Sequence, residues 1–155
     1  MLDDLGAPAD PLSVIIEVPR GGHIKRALDA QGQVSGVQLL SPLPCPFNYG
    51  CAPAIDGQDG DPLDAIVLGP ALRLGDRLTL PVVGVVRFMD RGAVDDKWIL
   101  SATPPTWADD RALRRFFGLY ALAKRLVNVL RRERGETSLR GVEWRIPPLS
   151  SPDLK

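Results

Sequence analysis

One stretch of helical periodicity follows a long series of short strand-like segments, and this order limits what the chain can fold into. Segments 14–18, 33–40, 65–68, 78–88 and 98–101 are rich in β-branched or apolar residues and bounded by Gly, Pro and Asp, as strands are. After them, Leu113, Phe116, Phe117, Tyr120, Ala123, Val127 and Leu130 recur at spacings of three and four. That spacing predicts a helix with one buried stripe, capped by Asp109 or Asp110 and running to about residue 133. Many short strands and one long helix predict a mainly β (α+β) fold, a closed β-barrel with the helix packed against it. The 155 residues, 45% of them apolar, are enough for one domain with one core. Residues 147–152 carry three prolines and read as extended. The expected organisation is therefore a domain over 1–146 and a Pro-rich tail over 147–155, without internal repeats.

Several function classes are disfavoured. No stretch reaches the roughly 18 apolar residues of a membrane span, and the amino terminus has no basic signal-peptide start, so a cytoplasmic protein without a membrane partner is expected. Cys45 and Cys51 are expected to be reduced thiols. Charge is balanced overall but segregated. Residues 1–110 hold 15 acidic and 8 basic side chains, and residues 111–155 hold 4 and 11. The basic part is compatible with a phosphate, an acidic surface or a solvated helix face. Nucleic acid is not expected as a partner, because aromatic residues are not interleaved with the basic ones as stacking on single strands requires. The one histidine, His23, reads as a loop residue.

The chemistry lies in two acidic clusters. Asp59-Gly60-Asp61-Pro62-Leu63-Asp64 packs three carboxylates into one turn, where like charges repel unless a cation intervenes. The bland alternative is a solvated acidic turn. A calcium-binding EF-hand loop fits poorly, for the run lacks that loop's central glycine and closing glutamate. The second cluster, Asp90, Asp95 and Asp96, follows the apolar run 78–89 and directly precedes Lys97. Carboxylates delivered at the end of a strand beside a lysine suit a hard divalent ion and a phosphate group. Taken together, the clusters favour a metal site over two surface turns.

The motifs resemble, in order and spacing, those of the soluble family I inorganic pyrophosphatases. The Asp-Gly-Asp-Pro-Leu-Asp run is similar to that family's signature. Ile16-Glu17-Val18-Pro19 with Ile24-Lys25, Pro46-Phe47-Asn48-Tyr49-Gly50, the Asp90-x4-Asp95-x-Lys97 spacing and Phe116-Phe117-x2-Tyr120 extend the resemblance over about residues 12–124. It implies an OB-like five-stranded barrel and hydrolysis of pyrophosphate to two phosphates with two or more Mg²⁺ (or Mn²⁺) ions per site. By resemblance Asp59, Asp64, Asp90 and Asp95 are the metal ligands. Asp61 is the proton acceptor, Lys25, Tyr49 and Lys97 hold the attacked phosphate, Tyr120 meets the leaving phosphate, and Glu17 supports the site. A homo-oligomer is also implied.

Departures accompany the matches. Ala27, Val37, Cys45 and Ala121 stand where the family carries glutamate, arginine, tyrosine and lysine, and residues 27–72 contain no Arg or Lys. The leaving-phosphate pocket is thereby expected to lack two cations. Three readings follow. In one, pyrophosphate is the substrate and other cations, Lys124 among them, meet its leaving phosphate. In another, Val37 and Ala121 make room for a larger nucleotide or organic phosphate ester. In the third, a non-catalytic binding or regulatory protein keeps the barrel.

Overall fold

The computed structural model describes residues 10–29, 31, 33–41, 43–57 and 61–150. The strands are β1 (Leu12–Val18), β2 (Ile24–Leu28), β3 (Val34–Leu40), β4 (Asn48–Asp56), β5 (Pro62–Val67), β6 (Arg77–Leu80), β7 (Val82–Asp90), β8 (Ala93–Val94) and β9 (Lys97–Leu100). The helix α1 (Trp107–Leu130) and a last strand, β10 (Ser138–Trp144), complete the chain. The main sheet runs β10-β7-β9-β5-β4-β1-β6, with β8 on β7, and β2 and β3 form a separate hairpin. The expected mainly β fold with one long helix is present. Its path has β10 and β6 as ends, and no ladder joins them among the described residues.

Central strands read as continuous apolar runs because both faces of the sheet are covered. The period of two sends Ala65 with Val67 and Trp98 with Leu100 into one core, shared with Leu12, Val14 and Ile16, and a register shift between Val82 and Gly84 brings both Val82 and Val85 to the same side. Ile66, Val83, Val86 and Ile99 enter a second core beneath α1, with Phe117, Leu113 and Trp144. At roughly 1.5–3 kcal/mol per fully buried large apolar side chain, these two layers hold the fold together.

Three expectations are corrected. Segment 78–88 is two strands with different neighbours, split at Pro81, whose nitrogen cannot donate to a ladder. The helix begins earlier, capped by Thr106. The Thr106 hydroxyl accepts from the Asp109 amide at 3.2 Å, while Asp109 accepts from the Thr106 amide at 2.7 Å. The buried stripe also stops early. Leu113, Phe117 and Ala121 are buried, whereas Val127 and Leu130 are 40% and 75% exposed. Past Lys124 the helix runs beyond the sheet that would cover it.

Strand β10 was not legible in the sequence. It breaks its pattern at Gly141, at a shift in register against β7, and its alternation of buried and exposed residues is short. Val142 and Trp144 are buried under α1. Beyond them, Leu149 pairs with the segment at the start of the helix, accepting from the Trp107 amide and donating to the Pro105 carbonyl.

Candidate active site

A cavity of about 350 Å³ opens between the middle of α1, the β2–β3 hairpin and the sheet. The strand period explains who lines it. Asp64 shares a face with Ile66, and Lys97 with Ile99, so a residue near each strand's end projects toward the helix side. Tyr49 is delivered by β4, which Asn48 and Gly50 fix in place. The buried Asn48 side chain accepts from the Arg20 and Leu72 amides and donates to the Val67 and Pro70 carbonyls. Gly50 permits β4 to press on β1, for a Cβ there would lie 2.0 Å from the Ile15 carbonyl oxygen.

Carboxylates and ammonium groups interleave on one wall. Lys97, 2% exposed, donates to Asp64 at 2.8 Å and to Asp95 at 2.5 Å. Lys25 lies 3.4 Å from Glu17 and 3.5 Å from Asp64. Burial raises the Asp64 carboxyl, but the Lys97 and Lys25 charges outweigh it and hold it below its ordinary value. For Asp95 burial prevails over Lys97, and its carboxyl is raised. Asp64 has close contacts from two lysines and the Tyr49 hydroxyl, whereas Asp95 is also raised by the neighbouring Asp64 charge. Burial likewise raises Glu17 against the pull of Lys25, and raises the Tyr49 phenol with help from the Asp64 charge. The Cys51 thiol beside Glu17 is pushed up to about 12, and Cys45 to about 11, both chiefly by burial, so the two free cysteines are protonated at neutral pH.

Of the residues expected at the site, Lys25, Tyr49, Asp61, Asp64, Asp90, Asp95, Lys97 and Tyr120 all line this cavity. Glu17 reaches it through Lys25. Asp59 lies outside the described residues. Asp96 turns away, pairing with Arg87 at 2.8 Å and accepting from the Phe88 amide. His23, read as a loop residue, does border the cavity, with Nδ1 3.1 Å from the Ser41 carbonyl. The idea that Val37 and Ala121 enlarge the pocket fails. Ala121 is buried in the core beneath the helix, and Val37 is 58% exposed on the hairpin, outside the cavity lining.

The sequence singled out Lys124 only as one of several candidate cations, and the structure gives it a definite partner. Its ammonium group is 2.5 Å from Asp90 and sits over the Tyr120 ring, one helical turn away on the same face. Thr137 donates to the other Asp90 oxygen at 3.0 Å, and Asn128 donates to Thr137. Arg91, at φ 51, adds its guanidinium 3.7 Å from Asp90 and 3.1 Å from Glu133. No sequence signal marks Thr137 or Asn128, because only folding brings the segment after α1 back to the end of β7.

Among the described residues no three carboxylate, histidine or cysteine side chains converge as a ready-made metal cage, because lysines stand between the acids. The donor set nevertheless fits a hard divalent ion. Asp61, Asp64, Asp95 and Glu17 offer oxygen only and outnumber Lys25 and Lys97, and the buried Glu17 Oε2 receives no hydrogen bond although Lys25 is near.

Comparison with known proteins agrees with this geometry. The family model for inorganic pyrophosphatase matches residues 14–127. An inorganic pyrophosphatase of Helicobacter pylori is 37% identical over 94 residues, 59% of this chain and 54% of the relative. A soluble inorganic pyrophosphatase of Oryza sativa is 33% identical over 130 residues, 82% of this chain and 58% of that protein. The chain spans about half the length of the curated relatives it matches. In three dimensions, the solved Helicobacter pylori pyrophosphatase superposes with a TM-score of 0.70 at 27% identity, covering 88% of this chain and 85% of that one. With the family's motifs gathered around one cavity on the family's fold, this chain belongs to the inorganic pyrophosphatase family.

Proposed function

We propose that the protein hydrolyses inorganic pyrophosphate to two phosphates with Mg²⁺ or Mn²⁺. One observation carries this reading: Asp61, Asp64 and Asp95 share a single cavity with Lys25, Lys97 and Tyr49. Asp64 and Asp95 would hold the metal, together with Asp59, two residues before Asp61 in sequence. A bound divalent ion supplies charge neutralisation and Lewis acidity at the phosphate oxygens.

The protein groups divide the remaining work. Lys25, Tyr49 and Lys97 position the attacked phosphate and offset its charge, which dominates phosphoryl transfer. Asp61 accepts a proton from the attacking water. As the new oxygen–phosphorus bond forms, the bridging P–O bond breaks and its electron pair goes to the departing phosphate. That phosphate then takes up the proton, leaving two phosphates. Phosphate release from pyrophosphate with added Mg²⁺ or Mn²⁺, beside a panel of nucleotides and sugar phosphates, tests the assignment. Release from pyrophosphate well above the panel is expected, and release from an ester alone would overturn it. The buried Ala121 argues for pyrophosphate, because it yields no space for a larger leaving group.

No helix is long and apolar enough to cross a membrane among the described residues. A cytoplasmic setting is part of the proposal, checked by fractionation of cells. We also infer that copies of the chain associate, through the outer side of α1.

A further inference from the structure

A second hollow, a groove of about 440 Å³, lies beside the amino-terminal half of α1 and shares only Phe116 with the lining of the active cavity. Trp107, Arg111 and Arg115 recur at a spacing of four along one row of the helix, and the segment before β4 contributes Pro44 and Pro46. Phe116 is the partition between the two hollows. Its ring stacks on Tyr120 of the active cavity, 6.0 Å between centroids, and also borders the groove.

The guanidinium groups of the groove are uncommitted. Arg114, on another row of α1, is held by Asp110 at 2.9 Å and donates to the Val142 carbonyl. Arg111 and Arg115 make no ion pair or hydrogen bond among the described residues. One helical turn apart, they stand close enough to share one anionic head. The polar side-chain groups of the lining are all donors, these two guanidinium groups and the Trp107 indole N–H, and none of them accepts. A sugar phosphate or a nucleotide would bring hydroxyls or a base edge with donors of their own, for which the lining has no acceptor side chain. An ionised carboxylate accepts only, and it matches a guanidinium fork in two parallel bonds. The rest of the lining is apolar and rich in rings, with Trp107 and Phe116 on the helix and the two prolines beside them, which suits a flat apolar body.

We propose that this groove is a binding site for a small aromatic monocarboxylate, with the carboxylate on Arg111 and Arg115 and the ring system against Trp107, Phe116 and the prolines. The site is separate from the active cavity and does not depend on which phosphate compound that cavity hydrolyses.

The test uses the full chain and 2-naphthoate, with 2-naphthalenemethanol as the same ring system without the charge. Binding is followed by calorimetry, the oligomeric state by sedimentation velocity, and the fold of each variant by melting curves. The native chain is expected to bind naphthoate more tightly than the alcohol. Arg111→Gln with Arg115→Gln is expected to weaken naphthoate by roughly tenfold or more, the scale of charge-assisted contacts, and to leave the alcohol unchanged. Ala108→Phe fills the groove while keeping both arginines, and is expected to abolish binding of both compounds. Lys25→Gln, in the active cavity, is expected to bind naphthoate as the native chain does. No naphthoate binding by the native chain, or native affinity in the arginine variant, overturns the proposal. Loss of binding in Lys25→Gln also overturns it, by placing the acid in the active cavity. So does an arginine variant that sediments differently from the native chain yet keeps its naphthoate affinity, which would give the groove to a second copy.

Discussion

Asp61 and Glu17 show how differently two carboxylates beside one cavity can behave. Asp61 is exposed at the mouth, in the turn where its carbonyl accepts from the Gly57 amide. Asp61→Asn is expected to leave the melting temperature within a few degrees and lower turnover by about 10²-fold or more, the usual scale for a lost proton acceptor. Turnover near the native rate would make it a turn residue only. Glu17 is buried and its folded-state carboxyl is raised above the ordinary 4.5, mainly by burial. A group raised in this sense contributes stability that is fully present below its unfolded value and lost as pH rises through its folded one. Glu17→Gln is therefore expected to raise the melting temperature of the metal-free protein at pH 7, with the gain vanishing as pH falls toward 4.5. A variant less stable than native at pH 7 would contradict that sign. The spacing of Asp61, Asp64, Asp90, Asp95 and Lys97 was legible because motif order survives without a fold. The burial of Lys97 was not legible, since a lysine after two aspartates reads equally well as surface.

Helix α1 carries both the most legible and the least legible features of the chain. Its existence followed from periodicity, and its cap is written as Thr106-x-x-Asp109. Its far half could not be assigned, because periodicity records which side is apolar and not whether anything covers it. Leu119, Leu122, Leu126 and Val129 are 42%, 57%, 63% and 71% exposed and recur at spacings of three and four. Such a stripe on a surface marks an interaction site more often than chance exposure, and symmetric pairing of like stripes is the commonest way to bury one. Sedimentation velocity is expected to show an oligomer that Leu122→Asp with Leu126→Asp reduces to a smaller species. The melting temperature of the isolated chain should be little changed, since neither side chain is buried. An unaltered sedimentation coefficient would move the interface elsewhere.

Across the whole molecule, the segregation of charge along the sequence has a structural meaning. The basic carboxy-terminal part folds back onto the acidic part, joining Lys124 to Asp90, Arg145 to Asp10, and Glu143 to Arg87. At the cavity, Glu17, Asp64 and Asp95 crowd around Lys25 and Lys97. An arrangement that keeps like charges together gives up stability, and a bound cation returns it by linkage. Mg²⁺ or Mn²⁺ is therefore expected to raise the melting temperature progressively with concentration. At a hundred times the dissociation constant, linkage gives about 2.7 kcal/mol. Asp64→Asn removes a carboxylate that both lysines contact, and is expected to abolish most of that metal-induced shift. Loss of the carboxylate also leaves Lys97, 2% exposed, with Asp95 as its remaining acid partner, so the metal-free variant should melt below the native chain. Both readouts come from one set of melting curves with and without metal. A variant that keeps the full metal shift would mean that the ion binds without Asp64.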